Sequence, residues 1–541
     1  MARVFYPYVA MPEKPQIARA LRDELGWDPV LWVAYPNQRD EIAELFPEAC
    51  FQTIADAFYG RPFPGLNSQA PHVPSAKLWG KLQSQIPTML AMMNYYGPPD
   101  VFLYAERERF ARNLLLRWNE LIAALKPDVV FFEEAPHAPH TWALYALCLE
   151  YGIPTPFFMP TAVPTFSVLK DRVDRPPLRL AKFYREYCQN PAARDIHPDI
   201  QRSIALLADG NSFRHWYMDV QRTAEGTDED PAERDSNRFG PALHAIERLG
   251  NVPRWPHYAK TLLTWPYRTI RSRQAERSRL DQPSPGVLLK HPGRPLGDPP
   301  LTLREYYEYK EASTDRKTRL QDDYLARCVD PDSNRNRFVY LALHYQPERT
   351  TDSDGGVFRD QYLAAAILHE ALPDGWLLYV KEHPSQFAAM LHGDKGRTTD
   401  LYDDLQMLPK ARLIHPGYSS KALTMASQAV ATVSGTAAWE AALNRKPALA
   451  FGYTWYDGCP GVYSIGSVED ALEALAAIQS GTVPSEDDLT AFLQALSSAA
   501  FRVDLNAWLK DEPEVTLEEQ IDGVVRAMTW WNEHRTPAGT G

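Results

Sequence analysis

The chain has 541 residues, 45% of them hydrophobic, and a formal net charge of −12. That length and apolar content imply two or more domains with ample core, and the acidic balance argues against a nucleic-acid-binding surface or a broadly basic membrane-binding face. Five scattered cysteines, Cys50, Cys148, Cys188, Cys328 and Cys459, form no CxxC pair or metal-ligand spacing, which fits a reducing compartment better than secretion. The stretch from Met1 to Tyr8 has no signal-peptide layout, and no apolar run approaches the roughly 18 residues of a bilayer span. The expected location is therefore the cytoplasm.

Residues 1–170 alternate strand and helix patterns. Arg3–Val9, Pro29–Ala34, Val129–Phe132 and Thr155–Phe158 read as strands. Pro15–Glu24, Leu103–Leu125 and Thr141–Tyr151 read as helices. This is βαβ logic and predicts a doubly wound, Rossmann-like first domain. No GxGxxG follows the first strand, so a dinucleotide site is not expected there.

The strand Val129–Phe132 runs into Glu133-Glu134-Ala135-Pro136-His137-Ala138-Pro139-His140. Two carboxylates and two imidazoles leave one strand end within eight residues. The chemical reading makes Glu133 or Glu134 a base, nucleophile or oxocarbenium stabiliser, with His137 beside it. The competing readings are a capped loop of solvated charges, or a Glu/His/His metal set without a known spacing. Strand side chains alternate between faces, so the two glutamates should not be equivalent. An extended Ala135 before Pro136 places Glu134 toward the cleft mouth and Glu133 against the domain.

Residues 171–335 mix Pro-rich and charged segments with amphipathic stretches at 256–280 and 303–327. They read as a mostly helical insertion and connector. Three acidic runs, Asp228-Glu229-Asp230, Asp330-Pro331-Asp332 and Asp352-Ser353-Asp354, mimic a DxD motif. Their turn-like surroundings read as solvated loops.

Residues 336–500 read as a second α/β domain, and 501–541 as a final helix and tail that return to the first domain. In the second domain three successive strands each deposit polar groups on one edge. Trp376–Val380 runs into Lys381-Glu382-His383-Pro384; Leu413-Ile414 into His415-Pro416, then Ser419-Ser420; and Val430–Val433 into Ser434-Gly435-Thr436 and a helix to Leu443. Ligands bind beyond the carboxyl ends of such strands. The Ser434-Gly435-Thr436 turn and helix N-terminus would take a phosphate. Lys381 and His383 would neutralise phosphate or leaving-group charge. Ser419 and Ser420 would touch base or phosphate. Glu440, one turn beyond Thr436, would hold sugar hydroxyls. The helix dipole with Lys381 and His383 does what a metal does elsewhere, so no metal or cofactor is expected. Trp455 and Tyr456 read either as a stacking platform or as packing.

The same residues carry a resemblance. Lys-x-His-Pro at 381–384, Thr432-x-Ser434 followed by Glu440-Ala441, Lys446-Pro447 and Phe451-Gly452 resemble the capsule polysaccharide biosynthesis family, as does the segment from Phe338 to His344, Gln346, Pro347 and Glu348. The resemblance covers about residues 336–465, with the motifs in the family's order. It implies a GT-B glycosyltransferase: two Rossmann-like domains, a nucleotide sugar on the second, and an acceptor-side acidic residue near a Pro-His pair, here Pro136-His137, on the first. Some members use CMP-Kdo (Kdo is 3-deoxy-manno-octulosonic acid), so that donor and a glycan or lipid-linked acceptor, met at the inner membrane face, are the implied partners. CDP-glycerol glycerophosphotransferases share the general pattern. A sugar-nucleotide 2-epimerase and a non-catalytic carbohydrate-assembly protein remain the other readings.

Overall fold

The structure is a computed structural model that describes residues 1–9, 13–63, 73–96, 103–163, 165–189, 195–208, 303–331, 337–388, 391–505 and 514–535. The amphipathic stretch at 256–280, the acidic run at 228–230, Asp332 and Trp508 lie outside these residues.

The first sheet contains β1 (Ala2–Val9), β2 (Trp27–Ala34), β3 (Cys50–Thr53) and β4 (Val129–Val130), all parallel, in the order β3-β2-β1-β4. Parallel strands are covered on both faces and so read as near-continuous apolar runs. Alternate residues divide between those faces. Phe5, Leu31, Val33 and Val130 pack under the helices Ile86–Tyr96, Tyr104–Leu125 and Pro139–Tyr151. Val4, Tyr6 and Trp32 pack under the helices Lys14–Leu25 and Leu517–His534. Tyr6 and Trp32 stack at 4.5 Å, and Trp531 of the last helix meets Trp27 edge-on at 6.0 Å. The C-terminal helix thus returns to the first domain, as the sequence suggested. Pro15 starts the first helix and Gly26, at φ 67°, ends it in the left-handed conformation that glycine adopts without penalty.

A short antiparallel pair, β5 (Phe157–Pro160) and β6 (Ser167–Lys170), joins the halves. Ser167 bridges to Phe501 and its hydroxyl donates to the Val503 carbonyl at 2.8 Å.

The second sheet contains β7 (Phe338–Ala342), β8 (Leu377–Lys381), β9 (Ala411–Ile414), β10 (Ala429–Thr432), β11 (Ala448–Ala450) and β12 (Val462–Ser464). Its order is β12-β11-β10-β7-β8-β9, all parallel. The chain winds from β7 outward through β8 and β9, then returns to the other side of β7 with β10. The carboxyl ends of β7 and β10 therefore flank the topological switch point, where ligands bind in open α/β sheets. Helix Leu303–Arg327 covers one face with Leu320 and Tyr324, while Leu180, Tyr187 and Ile200 of helices Leu178–Gln189 and Pro198–Ala208 pack on the other. Two parallel α/β domains with a returning last helix form the GT-B layout expected from the resemblance.

The helix Arg349–Asp354, just beyond β7, packs on helix Ile86–Tyr96 of the first domain. Arg359 Nη1 donates to Thr88 Oγ1 at 2.8 Å across the same junction. Here the sequence misled. Asp352 and Asp354 are not in a solvated loop; they are 3% and 5% exposed, inside this helix. Burial pushes the Asp352 carboxyl up to about 8, against the pull of Arg359, and Asp354 up to about 7, against Lys170. A carboxyl whose folded pKa exceeds its unfolded value, near 3.9, contributes stability below that unfolded value and loses it as pH rises through the folded pKa. Asp352→Asn should therefore raise the denaturation midpoint relative to the parent, by more at about pH 8.5 than at about pH 5. The slope of that difference has an upper limit of about 1.4 kcal/mol per pH unit. Equal differences at both pH values would show that Asp352 is ionised throughout.

Candidate functional site

The switch point is built around an imidazole. His344 lies two residues past β7, with Nδ1 2.8 Å from Thr351 Oγ1 and Nε2 2.8 Å from Thr432 Oγ1 at the end of β10. The Gly435 and Ser434 amides point at the same Nε2, at 3.1 and 3.3 Å. Two N–H groups aimed at Nε2 make it the acceptor, so Nδ1 carries the hydrogen and donates to Thr351. Thr351 in turn donates to Glu348. Burial alone would raise the Glu348 carboxyl, but its contacts with His344, Thr351 and His383 outweigh that and hold it below its usual value. A hydrogen-bond chain thus runs from the start of helix Thr436–Leu443 through His344 to Glu348. Gly435 sits where a Cβ would come within 3.0 Å of both His344 Nε2 and Thr432 Oγ1, so a side chain there would press on the imidazole. This differs from the open phosphate cradle read from the sequence. The Ser434 and Gly435 amides are taken by His344. The helix Thr436–Leu443 has no side-chain cap.

Beside it lies a second group. Lys381 Nζ, at the end of β8, donates to Ser420 Oγ at 2.7 Å, and Tyr340 OH of β7 reaches the same oxygen at 3.5 Å. Thr436 Oγ1 donates to Glu440 Oε1 at 3.1 Å. The Glu440 charge adds to the burial that pushes the Tyr340 hydroxyl up to about 12, and it also acts on buried Tyr456, whose hydroxyl is raised too. Lys381, Ser420, Thr436 and Glu440 thus gather on one rim. Ser419 does not join them. It caps its own helix, accepting from the Ala422 amide at 3.2 Å.

His383 faces Glu348, His344 and Lys381, all of which act on its charge. Burial is the main cause that brings it down to about 4, with Glu348 opposing and the neighbouring His344, Lys381 and Arg397 assisting. It is therefore neutral near pH 7. Its Nδ1 accepts from the Ser385 amide at 3.2 Å, which leaves the hydrogen on Nε2. The sequence reading gave this imidazole the neutralising of phosphate or leaving-group charge; its surroundings hold it as a neutral hydrogen-bond donor. Glu382 is not on the rim at all. Strand alternation turns it to the opposite face, where it is fully buried against Arg397 at 2.8 Å and the Tyr402 hydroxyl at 2.8 Å.

In the first domain the loop after β4 separates its two glutamates. Glu133 is 6% exposed and lies 3.7 Å from Lys14 Nζ, which sits 4.1 Å above the Phe131 ring. Burial lowers the Lys14 pKa, against the charge of Glu133. The Glu134 side chain is 40% exposed, with Oε1 3.3 Å from His137 Nε2. His137 Nδ1 lies 2.8 Å from the Ala135 carbonyl and donates to it. Glu133, Glu134, His137 and His140 line a cavity of about 150 Å³ together with Tyr8, Ile54, Phe58 and Phe132. Among the described residues, no three His, Cys, Asp or Glu side chains are placed to hold a metal ion.

Two site residues escaped the sequence reading, His344 and Glu348. Both stand in the Phe338–Glu348 segment that carries the resemblance, so the signal was present but unassigned. Trp455 and Tyr456 turn out to be packing: both are buried, with Trp455 4.8 Å from the Trp439 ring.

Residues 352–473 match the family model described as capsule polysaccharide biosynthesis protein. The resemblance read from the sequence holds over that segment, which contains Lys381, His383, Ser420, Thr436 and Glu440. A comparison with curated proteins finds no match. Among solved structures, two forms of KpsC from Thermosulfurimonas dismutans are similar. The beta Kdo 2,7 transferase is 14% identical, covers 42% of this chain and 67% of that one, and has a TM-score of 0.23. The beta Kdo 2,4 transferase is 16% identical, covers 40% and 63%, and has a TM-score of 0.22. A UDP-GlcNAc 2-epimerase from Neisseria meningitidis is 10% identical over 98% of this chain and all of its own, with a TM-score of 0.20. Similarity at these TM-scores carries no argument about activity. No helix among the described residues is long and apolar enough to cross a membrane.

Proposed function

We propose that the protein is a glycosyltransferase of surface-polysaccharide synthesis that takes a nucleotide sugar at the switch point of its second sheet. The supporting observation is that Lys381, Ser420, Thr436 and Glu440 converge at strand carboxyl ends within the family segment. In this reading the Thr436 hydroxyl, the first-turn amides of its helix and the Lys381 ammonium hold the phosphate. Glu440 accepts from ribose hydroxyls. His383 donates Nε2–H to the departing phosphate oxygen, where charge grows in the transition state. His344 fixes the helix start and ties it to Glu348. On the first domain, Glu134 stands near the anomeric carbon as base for the acceptor hydroxyl or as nucleophile, with His137 at its side. The proposed donor is CMP-Kdo, and the acceptor a glycan or lipid-linked glycan met at the inner membrane face.

Calorimetry with CMP, CDP, UDP and GDP tests the reading, and CMP should bind tightest. Binding of none of the four would overturn it. His383→Ala should keep CMP binding within a few-fold and lower transfer by about 10²-fold, the scale of losing one preorganised donor. Near-normal turnover would remove His383 from the mechanism.

A further inference from the structure

The cavity beside Glu134 holds a polar group that nothing among the described residues satisfies. His140 sits in the first turn of helix Pro139–Tyr151, 1% exposed, and neither ring nitrogen has a hydrogen-bond partner among the described residues. An unsatisfied buried polar group is costly, and native proteins keep few of them. Phe58 packs edge-on to the ring at 5.3 Å and Tyr8 lies at 6.3 Å, so the imidazole is held in place by aromatic neighbours. Burial, with His137 nearby, brings its pKa down to about 3. The ring is therefore neutral, with one N–H to give and one lone pair to fill.

The enclosing cavity, about 150 Å³, far exceeds the about 10–15 Å³ that a single ordered water needs. Its walls are apolar and aromatic, from Tyr8, Ile54, Phe58 and Phe132, with Glu134 at the exposed side. Apolar walls with a few convergent polar groups are the usual make-up of a small-molecule site. The polar groups present select the ligand's chemistry. A neutral imidazole with both nitrogens unpaired suits a hydroxyl, which donates and accepts. A carboxylate beside it accepts from a second hydroxyl. Aromatic walls suit the C–H face of a saturated ring. An anion fits poorly beside Glu133 and Glu134.

We propose that this cavity is a sugar subsite in which His140 reads a ring hydroxyl of the acceptor while Glu134 faces the hydroxyl that reacts. This rests on the glycosyltransferase reading and adds the chemical class of what the first domain holds. The bound hydroxyl supplies the partner that the described residues do not give the ring.

The test uses the full chain with methyl glycosides of glucose, galactose and mannose as probes, followed through the ¹⁵N resonances of the His140 ring. At least one glycoside should shift both ring nitrogens. His140→Phe keeps a flat ring in the same space and should abolish that binding, lowering glycoside affinity by about tenfold or more. It should also leave CMP binding unchanged and keep or raise the melting temperature, because an unsatisfied group has gone. His140→Gln retains a donor and an acceptor and should recover part of the affinity. No response of the ring to any of the three glycosides, or equal glycoside affinity in His140→Phe, would overturn the subsite. A clear drop in melting temperature for His140→Phe would also overturn it, since it would show a structural partner for the ring. The two readings fail separately: loss of the subsite with CMP still bound leaves the transferase reading standing, while glycoside binding without any nucleotide binding removes the transferase reading alone.

Discussion

Arg397→Ala is expected to destabilise the second domain by about 3–5 kcal/mol, the scale of breaking a buried ion pair from one side. Glu382 is fully buried, and its carboxylate receives Arg397 Nε at 2.8 Å, Arg397 Nη2 at 3.0 Å and the Tyr402 hydroxyl at 2.8 Å. The Glu382 backbone amide donates to the Tyr324 hydroxyl oxygen at 2.9 Å. Removing the guanidinium leaves a carboxylate without its countercharge in a closed site. Burial and the Glu382 charge already raise the Tyr402 hydroxyl, so it cannot ionise to adapt. Arg397→Met with Glu382→Leu removes both charges and should cost less than Arg397→Ala alone. Urea denaturation followed by fluorescence measures both. A midpoint shift for Arg397→Ala equivalent to less than about 1 kcal/mol would mean that water reaches Glu382 and screens it.

The same substitution reaches the site. Arg397 Nη2 also donates to the His344 carbonyl at 2.7 Å, and His344 accepts the Gly435 amide. The clamp beneath the sheet therefore fixes the imidazole that fixes the helix above it. Positioning of Thr436 and Glu440 thus depends on a pair of buried charges.

What the sequence disclosed, and what it hid, follows from which signals are local. The helix Thr436–Leu443 was readable because Gly435 opens it and Pro447 follows it, both fixed by backbone chemistry. Strands β7, β8, β9 and β10 were readable as apolar runs each ending in polar residues. The partnership of His344 with Gly435 was not readable. It exists only because β10 pairs with β7, and that crossover joins residues about ninety positions apart. Lys381 and Glu382 read as one rim, whereas strand alternation turns Glu382 to the opposite face, and its depth there depends on Arg397, which arrives from a loop with no regular pattern. Asp352-Ser353-Asp354 shows the reverse error. Turn-forming residue types suggested solvent, while packing against helix Ile86–Tyr96 placed both aspartates inside. The His140 ring was visible in the sequence as one of two imidazoles, yet only burial shows that it lacks partners.

Glu134→Gln should lower transfer by about 10²–10⁴-fold while CMP affinity and melting temperature stay near those of the parent. The argument is the contrast with its neighbour. Glu133 points inward to Lys14, and both side chains are buried. Glu133→Gln removes the countercharge of that lysine, so its first effect should be a lower melting temperature, with Lys14 shedding its proton more easily still. Lys14→Met in the same chain should restore much of the loss, because a matched apolar replacement removes the unpaired charge. Glu134 is placed differently. It is half-exposed, touches His137 at 3.3 Å and lies on the cavity that holds His140. Glutamine keeps its shape and its contact with the loop but can neither take a proton from an acceptor hydroxyl nor attack an anomeric carbon. A large loss of transfer in Glu134→Gln with no loss of stability, set against a loss of stability in Glu133→Gln that Lys14→Met repairs, would separate the reacting carboxylate from the structural one. Full activity in both variants would place the reacting carboxylate outside this loop.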